Sequence, residues 1–273
     1  MSRSHTLVRT PRDLGTPTRV EITLEVISDY LHVGAGRRVV QAKELDVDFN
    51  QVLSMFLKGD PQAYAIVDPY FEEFNALPRT GDKVVIPGST VKGAVRTRLE
   101  MSIPNSCYIV DKPGVAKSQG YVQLFKPDPN RRSDNYSKGI AINHDRVCPV
   151  CDIMGSPGLG SKVSFSDLVM VSGKLGNATI DQVQYELALK GSKFVGSFLV
   201  NQSKNEVGAI LYGLGIRCES GKVNSRTFLL GRFKFDKPQF GRVKFTAKLD
   251  EREQCTRISD FVREFKVRDI WEK

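Results

Sequence analysis

Ile86-Pro87-Gly88-Ser89-Thr90-Val91-Lys92-Gly93-Ala94-Val95-Arg96-Thr97-Arg98-Leu99-Glu100 is the stretch from which the rest of the chain is read. The β-branched run Val84-Val85-Ile86 before it predicts a strand end, and Pro87-Gly88 breaks that strand. Ser89 or Thr90 is then placed to cap a helix that runs through Val91, Ala94, Val95 and Leu99. The first N–H groups of such a helix attract an anion. Lys92, Arg96 and Arg98 add fixed positive charge, and Gly88 and Gly93 leave room for a ligand backbone or a neighbouring subunit to come close. Two readings fit: an anion site that suits a phosphodiester chain, or an ordinary helix start with a solvated basic face.

Working outward, Val20, Ile22, Leu24 and Val26 alternate with polar residues and predict a half-buried strand. Leu31 to Arg38 is a glycine-rich turn carrying Arg37 and Arg38, too short and irregular for a dinucleotide fingerprint. Its His32 reads as a packed or surface histidine, or as a functional one. Phe49, Val52, Leu53 and Phe56 have helical spacing, and Tyr64 to Val67 reads as a strand. Asp46 and Asp48 precede that helix, either as solvated or capping residues or as ligands to a divalent ion. Residues 101–160 form a loop-rich insertion in which Arg131, Arg132 and Lys138 lie close to Tyr121, Phe125 and Tyr136, a mixture suited to phosphate contact and base stacking or to a solvated loop with aromatic anchors. Val163 to Val171, Phe194 to Val200, Thr227 to Leu230 and Gly241 to Leu249 predict further strands. A helix is expected to start near Lys204, and the segment from Thr256 to Val267 is an amphipathic helix. Helices and strands alternate without βαβ spacing. That predicts antiparallel α+β layers with irregular insertions, such as a modified ferredoxin-like fold, in one large domain or two small ones.

His144-x3-Cys148-x2-Cys151 has metal-ligand spacing, and Cys107 is available as a fourth ligand of a tetrahedral, structural zinc. Buried thiols and a redox pair are the other two readings. Gly155 to Lys162 imitates a phosphate-binding loop, but its lysine comes one residue late and Pro157 removes an N–H, so nucleotide hydrolysis is not expected and the segment reads as a flexible basic loop. Gly231 to Val243 is a second glycine-and-basic turn, in which Gly231 and Gly241 admit a phosphate chain and Arg232, Lys234, Lys237 and Arg242 supply charge, or else a hairpin with exposed lysines. The three histidines sit in unrelated contexts and make no Ser/His/Asp or Cys/His catalytic set.

Composition sets the outer bounds. The 273 residues suffice for a sizeable core, and 40 Lys plus Arg against 31 Asp plus Glu leave a net charge of +9, which favours a polyanionic partner. No apolar run approaches the roughly 20 residues of a membrane helix, and the N-terminus lacks a signal-type apolar core, so the expected location is the cytoplasm, away from membranes. The five cysteines are accordingly expected to be thiols or metal ligands and not to form disulfides.

Val85 to Thr97 closely resembles the signature of the RAMP superfamily, the repeat-associated proteins of type III CRISPR effector complexes. Cys148 to Gly155 followed by Ser161 to Asp167 is similar to the segment that comes next in the backbone subunits, and the Gly231 to Val243 turn is similar to the family's C-terminal glycine-rich loop. The resemblance spans roughly residues 20–250. It implies a modified ferredoxin-like, RRM-related fold, formed as a single RAMP-type domain over residues 1–273, and subunits that stack along a CRISPR RNA with other RAMP-type subunits, gripping its backbone. Carried over by position, Ser89, Lys92, Gly93 and Arg96, with Thr90 beside them and Arg37 and Arg242 from the two glycine-rich turns, are the expected RNA contacts. In many members a loop aspartate after the first strand cleaves the paired target RNA with a divalent ion such as magnesium, using the RNA's own 2′-hydroxyl. Here that loop departs from the usual pattern, and Asp46 and Asp48 are the nearest candidates. A non-catalytic assembly or end-capping subunit stabilised by zinc is the alternative. The hairpin that members carry after the position of Asp167 is not legible in this sequence.

Overall fold

A computed structural model describes residues 17–34, 38–42, 46–104, 146–156, 159–201 and 206–269, together with 7–8, 106, 108–109 and 126–127. Eight strands matter most: β1 (Thr18–Val26), β2 (Lys83–Ile86), β3 (Val163–Phe165), β4 (Leu168–Ser172), β5 (Leu175–Ile180), β6 (Val183–Leu189), β7 (Lys193–Val200) and β8 (Arg242–Lys248). The helices are α1 (Phe49–Leu57), α2 (Gln62–Val67), α3 (Gly88–Ser102), α4 (Pro149–Met154), α5 (Glu206–Gly213) and α6 (Glu251–Phe265).

The main sheet runs Phe228–Leu229, β8, β1, β7, β4, β2, Arg79–Thr80, with β3 pairing off this path to β7. Every pairing in it is antiparallel. Taken in chain order, β1, α3, β4, β7, α5, β8 is a βαββαβ unit, and its strands lie in the spatial order fourth, first, third, second. That is the ferredoxin-like arrangement. The α+β expectation holds, and the additions to the unit include β2, β3, α1, α2, α4, α6 and a second sheet.

The alternation read in β1 is its burial pattern: Val20, Ile22, Leu24 and Val26 face the core. Leu24 lies between Phe194 of β7 and Phe245 of β8, its partners in the ladders. Against this face pack Val91, Val95 and Leu99 of α3, Val207, Ile210 and Leu211 of α5, and Ile258 and Phe261 of α6, all within one hydrophobic cluster. The second sheet has five strands, with β5 and β6 joined through a parallel pairing of β6 with Phe71–Asn75 to Arg38–Ala42, and Tyr30–Leu31 on the side of β6.

Several expectations are corrected. Tyr64 to Val67 is helical, in α2; Asp60 accepts from the Gln62 N–H (2.9 Å) and starts the helix, which overrides the β-propensity of the run. Val163 to Val171 is two strands, parted at Ser166-Asp167. A hairpin does follow Asp167, formed by β5 and β6. Cys218 and Cys255 form a disulfide that pins α6 to the Ile216–Glu219 strand, against the expectation of thiols throughout. Among the described residues no helix is long and apolar enough to cross a membrane.

Candidate nucleic-acid interface

The start of α3 is built differently from the sequence reading. Pro87 is the N-cap residue and supplies no side-chain bond. The Gly88 N–H donates instead to Asp167 Oδ1 (2.9 Å), so a carboxylate of this chain already sits at the helix start. A Cβ on Gly88 would run into the carbonyl oxygens of Phe165 and Ser166; its missing side chain is used by the chain's own turn. Ser89 and Gly93 are exposed and Thr90 is half-buried. At Gly93 nothing lies within 4 Å of where a Cβ would stand.

The cations of α3 point into the protein. Lys92 Nζ donates to Ser161 Oγ (2.8 Å) and to the Val163 carbonyl (2.9 Å), and burial, with the Arg96 charge beside it, lowers its pKa. Arg96 donates to Glu100 Oε1 (2.8 Å), to the Gly155 carbonyl (2.7 Å) and to Cys151 Sγ (3.4 Å). Arg98, read as a surface charge, is buried, stacks on Phe228 at 4.2 Å and donates to the Thr227 carbonyl. Lys92 and Arg96 therefore bolt the 151–163 segment onto the helix. That segment is not a flexible basic loop at its end: Lys162 is buried between Asp152 (2.5 Å) and Glu206 (3.1 Å).

Cys148 and Cys151 sit at the first turn of α4, both buried, and Arg96 donates to Cys151 Sγ (3.4 Å). The other two proposed ligands, Cys107 and His144, lie outside the described residues, as does Arg37. Among the described residues no group of three or more His, Cys, Asp or Glu converges on a metal position.

Asp46 and Asp48 are both exposed before α1. Asp48 caps that helix, accepting from Asn50 N (2.9 Å) and Gln51 N (3.3 Å), while only the backbone carbonyl of Asp46 has a described bond, from Tyr70 Oη (3.5 Å). Arg242 donates to the Pro238 and Phe240 carbonyls and closes the late glycine-rich loop. Gly231 and Gly241 in that loop face the His32 and Leu230 carbonyls, so their bareness serves intrachain contact and not a phosphate chain. The loop lies on the hairpin through Tyr185, Phe233 and Phe240, in successive edge-on contacts of 5.2 and 5.3 Å. His32 packs beneath it, its Nδ1 2.8 Å from the Glu186 carbonyl, and burial lowers its pKa. It is a packed histidine.

A basic cleft escaped the sequence reading. At the root of the hairpin Lys174 and Lys190 flank an open cleft of about 580 Å³ with Asp29 and Tyr30. The signal was there in the paired turns Gly173-Lys174 and Lys190-Gly191, both glycines at positive φ.

Comparison with known proteins bears on this geometry. The model of the RAMP superfamily matches residues 23–251. The chain belongs to the RAMP superfamily. Among solved structures, the cryo-EM structure of the type III-B Cmr-beta bound to cognate target RNA matches with a TM-score of 0.42 and 10% identity, over 85% of this chain and 60% of that one. The crystal structure of T. onnurineus Csm5 matches with a TM-score of 0.34 and 15% identity, over 70% of this chain and 69% of that one. The RAMP chain described here thus spans about 60% of the length of the first of these. No curated protein matches it.

Proposed function

We propose that this RAMP protein is a guide-RNA-binding subunit of a type III CRISPR effector complex, holding the sugar–phosphate backbone of the CRISPR RNA over the first turns of α3 beside other RAMP-type subunits. The observation that carries this reading is Gly93. A glycine inside a helix costs roughly 0.5–1 kcal/mol relative to alanine. Gly88 recovers that cost in a close contact with the chain's own turn; Gly93, exposed and with open space around it, does not. An external backbone that approaches the helix there explains why the position is bare. Ser89 and Thr90 offer hydroxyls on the same turns, and Lys92 and Arg96, fixed by their internal bonds, supply the positive field; Arg37 and Arg242 are proposed as further contacts from the two glycine-rich turns.

Two finer steps belong to the same proposal. Zinc would be held by Cys107, His144, Cys148 and Cys151 and would act structurally, since four protein ligands leave no position for water. Target-RNA cleavage would draw on Asp46 and Asp48 with a divalent ion such as magnesium. Asp48 is already committed to capping α1, so Asp46 is the residue expected to matter: in the assembled complex Asp46→Ala should abolish target cleavage and Asp48→Ala should leave most of it. Full cleavage by Asp46→Ala would remove this assignment.

The exposed apolar side chains Phe49 (68%), Leu57 (80%) and Tyr64 (70%) on α1 and α2 favour a second reading, an assembly or end-capping subunit without catalysis. RNA content separates the two. The guide-binding reading predicts RNA of uniform length in the purified complex and binding that weakens steeply with salt, because each neutralised phosphate releases counterions. Absence of bound RNA, or salt-independent binding, supports the assembly reading.

A further inference from the structure

The end of the described chain closes over a cavity of about 340 Å³ between α6 and the Ile216–Glu219 and Lys222–Ser225 strands. It shares no residue with the interface on α3. Asp269 bridges two arginines there: its Oδ1 accepts from Arg217 Nε (3.2 Å) and from Tyr212 Oη (3.1 Å), and its Oδ2 from Arg226 Nη1 (2.5 Å).

The two guanidinium groups are held without Asp269. Arg217 lies over the Tyr212 ring at 3.4 Å and donates to the Tyr212 and Ile216 carbonyls (2.6 and 3.1 Å), and Arg226 donates to Glu219 (2.5 Å). The Arg217 and Arg226 side chains are 7% and 15% exposed, those of Glu219 and Asp269 50% and 42%. The two guanidinium groups are part of the fold, and the acids they hold are exposed. Val267 lies in the same cavity, beside Ile258 and Val262. The tail that closes the cavity is thus an apolar residue followed two positions later by an acid, redirected by Lys266, whose φ of 49° ends α6 in the left-handed region. Two arginines next to an apolar wall suit a carboxylate on a polypeptide, whose neighbouring side chain rests on that wall.

We propose that this cavity is a docking site for a carboxylate-bearing segment of a partner protein, with an apolar residue two positions before the acid, and that in the isolated chain Asp269 holds the two arginines, with Val267 on the cavity wall, as an intramolecular stand-in. A partner segment binds by displacing the tail, so the chain's own acid sets the threshold for docking.

The test is fluorescence anisotropy with the full chain and a labelled peptide of the sequence of residues 266–273, alongside the same peptide with Asn in place of the residue matching Asp269. The Asp269→Ala chain should bind the acidic peptide at least tenfold more tightly than the wild-type chain does, and the Asn peptide should lose at least tenfold. Asp269→Asn, which keeps the side chain's size, serves if the alanine variant does not fold, with the same expectation. Arg226→Met placed in either background should abolish the gain. Equal binding of the two peptides, no gain on removing the Asp269 carboxylate, or displacement of the peptide by a 5′-phosphorylated oligonucleotide at lower concentration than by unlabelled peptide would overturn the proposal.

Discussion

Glu100 lies 3% exposed beneath Arg96, and burial, outweighing the pull of that arginine, raises its pKa to about 7 from 4.5. The folded chain therefore holds a proton there that the unfolded chain releases, and stability falls as pH rises from 4.5 to 7. Glu100→Gln removes this dependence while keeping an acceptor for Arg96. Urea denaturation should show the wild type losing up to about 3 kcal/mol relative to the variant between pH 4.5 and pH 8; parallel pH profiles would mean that Glu100 titrates normally. The spacing of Arg96 and Glu100 marks them as a helical pair in the sequence. Their burial was not legible, because the cover comes from Gly155 and Cys151, more than fifty residues away. The same holds for Arg98, whose partner surface, Phe228 and Thr227, is supplied by a strand near the other end of the chain.

At the level of elements, the buried trio of Lys162, Asp152 and Glu206 joins the start of β3 to α4 and α5. With side chains only 2–5% exposed, it is stabilising only while complete. Lys162→Met leaves two carboxylates in the core without their cation and should cost about 3–5 kcal/mol. Thermal unfolding checks this, and a loss below about 1 kcal/mol would show that water or another group satisfies the acids. Elements with one covered face were legible: β1 and β8 alternate, and α6 carries its apolar stripe, although Asp250 starts it earlier than the stripe alone suggests. The hairpin was not. In β6 Tyr185, Glu186, Leu187 and Ala188 are buried in succession because the strand is covered on both sides, so no period of two appears. Glu186 enters that setting as the partner of Arg79, whose hydrogen bonds, with one from the Leu77 N–H, outweigh the upward push of burial and lower its pKa. At the start of α3 the sequence offers Ser89 or Thr90 as the cap, whereas the capping carboxylate, Asp167, arrives from the turn between β3 and β4.

In the whole molecule, the sheet order that defines the ferredoxin-like unit brings β1 beside β7 and β8, strands more than 150 residues apart, and no local pattern specifies those registers. What did specify the family was the run from Val85 to Thr97, and the RAMP superfamily match over residues 23–251 agrees with it. The disulfide between Cys218 and Cys255 shows the limit of reasoning from cysteine count and expected compartment: its two cysteines are brought together only when α6 packs on the Ile216–Glu219 strand. A nucleic-acid backbone is proposed to pass over the bare position in α3. The most direct measurement is the affinity of the purified chain for single-stranded guide RNA across a salt series, in Gly93→Ala and Gly93→Glu. Open space at Gly93 means that both variants fold, with Gly93→Ala more stable by about 0.8–1 kcal/mol. Gly93→Glu should bind RNA at least tenfold more weakly and Gly93→Ala measurably more weakly; wild-type affinity and salt slope in both variants would place the RNA elsewhere.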